Sequence, residues 1–282
     1  MPRRHPDWIK VRAPGSPNYL GLKRTLRKHS LHTVCEEARC PNIGECWGHK
    51  TATFLILGDI CTRGCRFCAI GKGKPALLNP DEPRNVGLVV KDLGLNHIVV
   101  TSVDRDDLAD GGSAHFAKTV FWIKALTPAI RVEVLIPDFK GDRNALETVV
   151  RSGIHVLNHN VETVPRLYKK VRPGSVYQRS LAVLKAAKEM RADILTKSGL
   201  MLGVGETFDE VMATLGDLRS HDCDIVTIGQ YLQPSLDQLP VDRYVTPEEF
   251  HALKTEAEKL GFRHVESGPL VRSSYHAWSH VN

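Results

Sequence analysis

The chain has 282 residues, 42% of them hydrophobic and 25% charged, a balance that supports a packed core and excludes a disordered, collagen-like or coiled-coil chain. The longest apolar runs are short stretches such as residues 54–57, far below the roughly 18 residues of a membrane span, and no apolar signal core opens the sequence. A cytoplasmic protein with no membrane partner is expected. The net charge of +6 is unevenly spread. Residues 1–30 hold Arg3, Arg4, Lys10, Arg12, Lys23, Arg24, Arg27 and Lys28 against Asp7 alone, giving +7; the remaining 30 basic and 31 acidic residues give −1. Such a basic arm fits either an acidic partner or a solvated tail. Without interleaved aromatics or a helix-turn-helix or zinc-finger spacing, no nucleic-acid partner is expected.

In chain order, residues 1–52 form an N-terminal extension. From Thr53 onward short β-branched runs alternate with amphipathic stretches, the pattern of repeated βα units. Strands are expected at 53–57, 97–101, 131–136, 155–159, 194–200 and 224–229. Helices with apolar residues at three- and four-residue spacing are expected at 84–93, 114–126, 144–151, 176–190 and 208–220. A last helix begins at Thr246, where Thr246-Pro247-Glu248-Glu249 supplies an N-cap, a first-turn proline and a capping-box glutamate. Residues 53–261 then form the core and 262–282 a C-terminal tail. Six consecutive βα units make a parallel sheet, either a partial barrel or a doubly wound sheet, and in both the chemistry belongs to loops after the strands' C-terminal ends. Cys61 to Cys68, Ser102 to Asp107, Asn160 with Glu162, and Gly203 to Glu206 all fall in such loops.

Six of the seven cysteines crowd between positions 35 and 68: Cys35-x4-Cys40-x5-Cys46, then Cys61-x3-Cys65-x2-Cys68. A disulfide framework suits a small secreted domain, not this large chain with an odd thiol count. Clustered thiolates select zinc or iron–sulfur clusters over magnesium or calcium. Zinc would need a fourth ligand, which His32 or His49 offers the first triplet; a four-iron cluster held by three cysteines leaves one iron open to a small molecule. Cys223 reads as a buried apolar residue, and His97, His155 and His159 as strand residues.

The second triplet, Cys61-Thr62-Arg63-Gly64-Cys65-Arg66-Phe67-Cys68, directly after the first strand, resembles the radical S-adenosylmethionine superfamily. The segments at 35–47, 58–63, 101–107, 158–163 and 197–203, ending in Arg272-Ser273-Ser274-Tyr275, narrow the resemblance to the lipoyl synthase family, over residues 20–276. That resemblance implies a partial (β/α)6 barrel whose N-terminal and C-terminal extensions build a second cluster site. It implies two 4Fe-4S clusters and S-adenosylmethionine: Cys61, Cys65 and Cys68 hold the cluster that cleaves the cofactor. Cys35, Cys40 and Cys46 hold an auxiliary cluster, with Ser273 as fourth ligand and Ser274 as alternative. The implied reaction inserts two sulfur atoms, drawn from the auxiliary cluster, at C6 and C8 of an octanoyl chain on a lysine of a lipoyl-carrier protein domain. Electrons come from a donor such as ferredoxin or flavodoxin. Catalysis then needs no side-chain acid or base beyond the cluster ligands.

Further assignments rest on position and polarity. Phe67 is placed beside the adenine or as a loop anchor. Asn158 and Glu162 are placed at the ribose hydroxyls, Lys197 or Arg172 at the cofactor carboxylate, and Ser102, Asp104 and Asp107 near its ammonium group or as helix caps. Gly203 and Gly205 would permit close backbone approach. The basic arm would steer an acidic carrier domain. Two other readings are a different sulfur-inserting radical enzyme acting on a free small molecule, and a zinc-stabilised RNA-binding protein.

Overall fold

A computed structural model of the protein describes residues 5–11, 13–49 and 52–281; Arg3, Arg4 and Arg12 of the basic arm lie outside them. Helix α1 (Pro17–Lys28) is capped by Ser16, whose hydroxyl accepts from Tyr19 N at 3.2 Å, and has proline in its first turn. It buries Leu22 and Leu26 and leaves Lys23, Arg24, Arg27 and Lys28 exposed. The two-residue strand β1 (His32–Thr33) follows, then the short helices α2 (Val34–Glu37) and α3 (Ile43–Gly48). Trp47 of α3 is fully buried, and its ring packs 4.9 Å from that of Tyr19. β1 pairs antiparallel with β2 (Thr53–Ile56), so the extension is stitched to the edge of the sheet immediately before Cys35.

Beyond β2 lie the short parallel pair β3 (Ile60–Cys61) and β4 (Gly71–Lys72), which bracket the second triplet. Then α4 (Glu82–Leu93), β5 (His97–Ser102), α5 (Ser113–Leu126), β6 (Arg131–Leu135), α6 (Arg143–Val150) and β7 (Val156–Asn158) alternate. After the short α7 (Tyr168–Val171) come α8 (Tyr177–Met190), β8 (Leu195–Leu202), α9 (Phe208–Ser220), β9 (Ile225–Gln230), α10 (Pro247–Lys259) and β10 (His264–Gly268). Every expected strand is present to within two residues at each end. The Thr246 capping box on α10 forms as read, and Thr207 with Glu210 makes a second one on α9.

The main sheet runs β1-β2-β5-β6-β7-β8-β9-β10, and all pairs but the first are parallel. Parallel strands in sequential order, joined by crossovers that are right-handed as a rule, put the connecting helices on one face, and the sheet is the expected partial barrel with the antiparallel β1 and one parallel strand more. That strand, β10, takes the first residues of the expected tail, so the sheet extends past residue 261. Among the described residues β2 and β10 share no ladder. The tail that follows ends in a 3-10 turn (Ala277–Val281), and Thr53 Oγ1 at the head of β2 donates to Ser274 Oγ at 2.7 Å.

Inside the barrel, Glu133 of β6 is fully buried and accepts from Lys197 Nζ at 2.8 Å and Asn158 Nδ2 at 3.1 Å, with His97 Nε2 at 3.7 Å. Burial pushes the Glu133 carboxyl up, but Lys197 and His97 more than offset it and hold it down to about 2. A charge pair of this kind is a structural tie across three strands.

Candidate active site

The second cysteine loop leaves β2 through Leu57 and Gly58, both in left-handed conformation at φ 70° and 91°. For leucine that conformation is strained, and it is held from both sides. Leu57 N donates to Glu82 Oε2 at 2.8 Å, and its carbonyl accepts from Arg105 Nη1 at 3.1 Å. Thr62 then locks the loop to the one after β5: its N and Oγ1 both donate to Asp104 O, at 3.0 and 2.9 Å, and Oγ1 accepts from Asp106 N at 3.0 Å. Arg63, between the first two cysteines, is buried and ties that same loop to the one after β6, donating to Asp106 at 2.8 and 2.9 Å and to Asp138 at 2.7 Å. Burial would raise Asp138, but Arg63 holds it down to about 2. Arg66 N donates to Val171 O at 2.9 Å, closing the loop's far side.

The first triplet is delivered by the extension and pinned by the tail. Asn42 Nδ2 donates to Leu270 O at 2.7 Å, Tyr275 Oη to Glu45 Oε1 at 3.2 Å, and Arg39 Nη1 to Pro234 O at 3.3 Å. The tail comes so close to β9 that a Cβ on Gly229 would stand 2.1 Å from Val271 O. This seats Arg272 beside Cys40, whose thiol feels its charge, and puts Ser273 Oγ where it accepts from Asn160 Nδ2 at 2.7 Å.

Both loops open onto one cavity of about 520 Å3 at the C-terminal ends of the strands. Cys35, Cys40, Cys61, Cys65, Cys68 and Ser273 line it, as do Phe67, Glu162 and Arg172. Cys46 lies close enough to Cys35 and Cys40 to feel their charge. Desolvation raises all six thiols, Cys35 and Cys61 to about 11 and Cys46 and Cys68 to about 12, so thiolates form here only with a positive partner such as a metal centre.

The geometry also speaks to the kind of centre. Three thiolates on one zinc ion, each at about 2.3 Å, would stand within about 4 Å of one another. In neither triplet do all three sulfurs lie within 4.8 Å of one another, and among the described residues no histidine or carboxylate completes such a group there. A polynuclear cluster, whose thiolates sit on separate irons, fits this spread. Buried polar atoms without hydrogen-bond partners, Ser102 Oγ, Asp104 Oδ1, Asn160 Oδ1 and Arg172 Nε, belong to residues of the same cavity wall. That is the lining expected where a polar ligand supplies the missing bonds.

A family model described as the Radical SAM superfamily matches residues 55–218, and the N-terminal domain of lipoyl synthase of the Radical_SAM family matches residues 2–40. Lipoyl synthase of Roseiflexus sp. (strain RS-1) is 56% identical over 99% of this chain and 93% of its own. The chain belongs to the lipoyl synthase family. Lipoyl synthase of Chlorobaculum parvum is 55% identical over 98% of this chain and 94% of its own. Among solved structures, Streptococcus suis SuiB bound to S-adenosylmethionine covers 91% of this chain and 58% of its own at TM-score 0.61 and 11% identity, a likeness of fold. As a lipoyl synthase of the radical S-adenosylmethionine superfamily the protein is a sulfur-inserting enzyme, and its cofactors are 4Fe-4S clusters and S-adenosylmethionine.

The cavity brings together most of the residues singled out from sequence. Glu162, at φ 66°, is half-buried and accepts from Asn160 Nδ2 at 3.0 Å; desolvation raises its carboxyl despite Arg172. Arg172 donates to Asn160 O at 2.7 Å and Tyr168 Oη at 2.9 Å and lowers the Cys65 thiol against its burial. Asp104 Oδ2 lies 3.7 Å from Cys61 Sγ. Asn158 and Lys197 are placed elsewhere, away from the cavity lining and on Glu133, because they stand lower in the barrel than Gly199 and Met201 and turn down onto that carboxylate. Asp107 pairs with Arg105 at 2.8 Å. Gly203 makes its close approach to Gln230 and Arg243 O, and no heavy atom lies within 4 Å of where a Gly205 Cβ would stand. Cys223 is fully buried, donating to Ile225 O.

Sequence reasoning passed over Arg63, Asp106 and Asp138 as a brace, though an arginine inside a cysteine loop facing an acidic run was a legible signal. It also took His159 for a strand residue. His159 lies just past β7 on the cavity wall, fixed between Ile136 O at 2.8 Å and Ser180 Oγ at 3.0 Å. Burial, reinforced by the Arg172 charge, pushes it down to about 4 and keeps it neutral. No helix among the described residues is long and apolar enough to cross a membrane.

Proposed function

We propose that Cys61, Cys65 and Cys68 hold the cluster that binds S-adenosylmethionine, and that Cys35, Cys40 and Cys46 hold the auxiliary cluster with Ser273 as its fourth ligand. The observation that carries this reading is the single cavity lined by Cys35 and Cys40 of the first triplet, all three cysteines of the second, and Ser273, with Cys46 beside Cys35 and Cys40. The substrate is an octanoyl chain on a lysine of a lipoyl-carrier domain, which receives sulfur at C6 and C8, with ferredoxin or flavodoxin as electron donor. When bound, the cofactor and clusters supply radical hydrogen abstraction and sulfur.

The chain's own residues bind and orient. The Arg172 guanidinium, buried with Nε unbonded, would take the cofactor carboxylate, and Glu162 the ribose hydroxyls. Asp104 would take the ammonium group and Phe67 would pack beside the adenine, both from the cavity wall. Arg63 keeps the Cys61 to Cys68 loop rigid, and the tail carrying Ser273 covers the cavity against water. His5 lines the same cavity, so the basic segment begins at its mouth, and Lys10, Lys23 and Arg24 are exposed to meet an acidic carrier.

An anaerobic assay of the reconstituted protein on an octanoyl-lysyl peptide tests this. It should yield 5′-deoxyadenosine and a mass gain of two sulfurs, both lost in Cys65→Ala. In Ser273→Ala, 5′-deoxyadenosine should persist and sulfur gain fall. Full sulfur insertion by Cys40→Ala would refute the assignment.

A further inference from the structure

At the opposite ends of the strands, two imidazoles and a carboxylate converge that the cavity does not use. His264 opens β10 opposite Ile225, and Glu266 stands two residues on, so both side chains leave one face of the strand. Ser267, on the other face, donates its hydroxyl to Phe250 O of α10 at 2.8 Å, which puts His264 and Glu266 on the side away from the helices. His264 Nε2 lies 3.5 Å from Glu266 Oε2. The chain returns here in its last turn, where the His280 ring lies over that of His264 with centroids 4.5 Å apart. One ligand atom from each of His264, Glu266 and His280 lies within 4.8 Å of the others, and among the described residues no other His, Cys, Asp or Glu group of three meets that limit.

His280 is 2% exposed, and neither of its ring nitrogens has a hydrogen-bond partner; nor has His264 Nε2. Buried polar nitrogens left bare carry a full desolvation cost. A cation between these side chains would remove it. We propose that His264, Glu266 and His280 bind a divalent cation of the zinc class. Two imidazoles and one carboxylate favour zinc and its transition-metal neighbours over magnesium or calcium. Without a thiolate, the donor set differs in kind from either cysteine triplet.

The cation's place in the fold suggests what it does. Ser273 rides on a tail pinned to β2 through Thr53 and Ser274. Further along, Ala277 and Trp278 border a second cavity of about 210 Å3 shared with Thr53, His97 and Val99. A metal joining His280 to β10 fixes the tail's far end, so the tail closes the gap between the first and last parallel strands.

The test uses the full chain with both triplets reconstituted anaerobically, equilibrated with zinc chloride and freed of loose metal by gel filtration. About one zinc per chain should remain, and its X-ray absorption edge should report only nitrogen and oxygen ligands at about 2.0–2.1 Å. Amide exchange across residues 269–281 should slow on zinc addition, and His280→Gln should retain no zinc while keeping its iron. No retained zinc in the wild-type protein, a sulfur shell near about 2.3 Å, or equal retention by His280→Gln would overturn the proposal. Should His280→Gln fail to fold, the wild-type ligand shell decides alone.

Discussion

Cys61, Cys65 and Cys68 sit on one loop that a single strand delivers, whereas Cys35 and Cys40, with Cys46 beside them, come to the same cavity only because two ends of the chain meet. The first arrangement is braced within the barrel: Arg63 reaches Asp106 and Asp138, and Thr62 reaches Asp104. The second hangs on bonds between residues more than two hundred positions apart, Thr53 with Ser274, Asn42 with Leu270 and Glu45 with Tyr275. A centre built inside the barrel survives changes at the termini. One built from docked extensions does not, and that suits the proposed auxiliary centre, whose role is to give up its sulfur.

The largest expected effect separates the two triplets by chemistry. Cys61→Ala should bring 5′-deoxyadenosine formation to background, while Cys40→Ala should leave it running and abolish only sulfur insertion; chromatography of quenched reactions reads both. Next, Gly229→Val should push the tail off β9, since even one carbon there would stand 2.1 Å from Val271 O. Iron should then fall by about half after reconstitution, four irons per lost cluster, with the Cys61 centre retained. Equal loss from both centres would erase the contrast.

The barrel itself was largely legible, and the reason is physical. Runs such as His97-Ile98-Val99-Val100 and Ile225-Val226-Thr227-Ile228 announce buried parallel strands. β10 was hidden because His264-Val265-Glu266-Ser267-Gly268 carries one apolar residue and pairs along only one edge. The cysteine loops declared themselves by spacing, and Glu162 and Arg172 by chain position after a strand. Asn158 and Lys197 were misplaced for a reason of depth: Lys197 shares a strand face with the cavity-lining Gly199 and Met201 but stands lower in the barrel, and without the register no reading tells a deep barrel-interior lysine from one at the rim. The His264, Glu266 and His280 group had no signal at all, its members being joined only when the tail folds back.

Lys197 therefore sharpens the comparison. Lys197→Met leaves Glu133 buried with its main charge partner gone, and should cost about 3–5 kcal/mol of stability in a denaturant melt, with S-adenosylmethionine affinity unchanged in the folded fraction. Arg172→Met should do the reverse. Acid should weaken the barrel before it strips a peripheral contact. His159 is held down to about 4 in the fold, so its contribution is fully present above pH 6.5 and lost as pH falls toward 4, on the order of 3 kcal/mol. A melt series across that window, repeated on His159→Gln, should show the slope reduced by that amount. Smallest is Tyr275→Phe, which deletes one part-buried hydrogen bond to Glu45 and should cost about 1 kcal/mol, read as faster loss of iron from the Cys35 centre only.

The most direct measurement is an anomalous difference map at the iron edge from crystals of the anaerobically reconstituted protein. Two iron centres should appear in the cavity between the strand ends, one on Cys61, Cys65 and Cys68 and the other on Cys35, Cys40, Cys46 and Ser273. A single centre, or a second one on a different face of the barrel, would contradict the account.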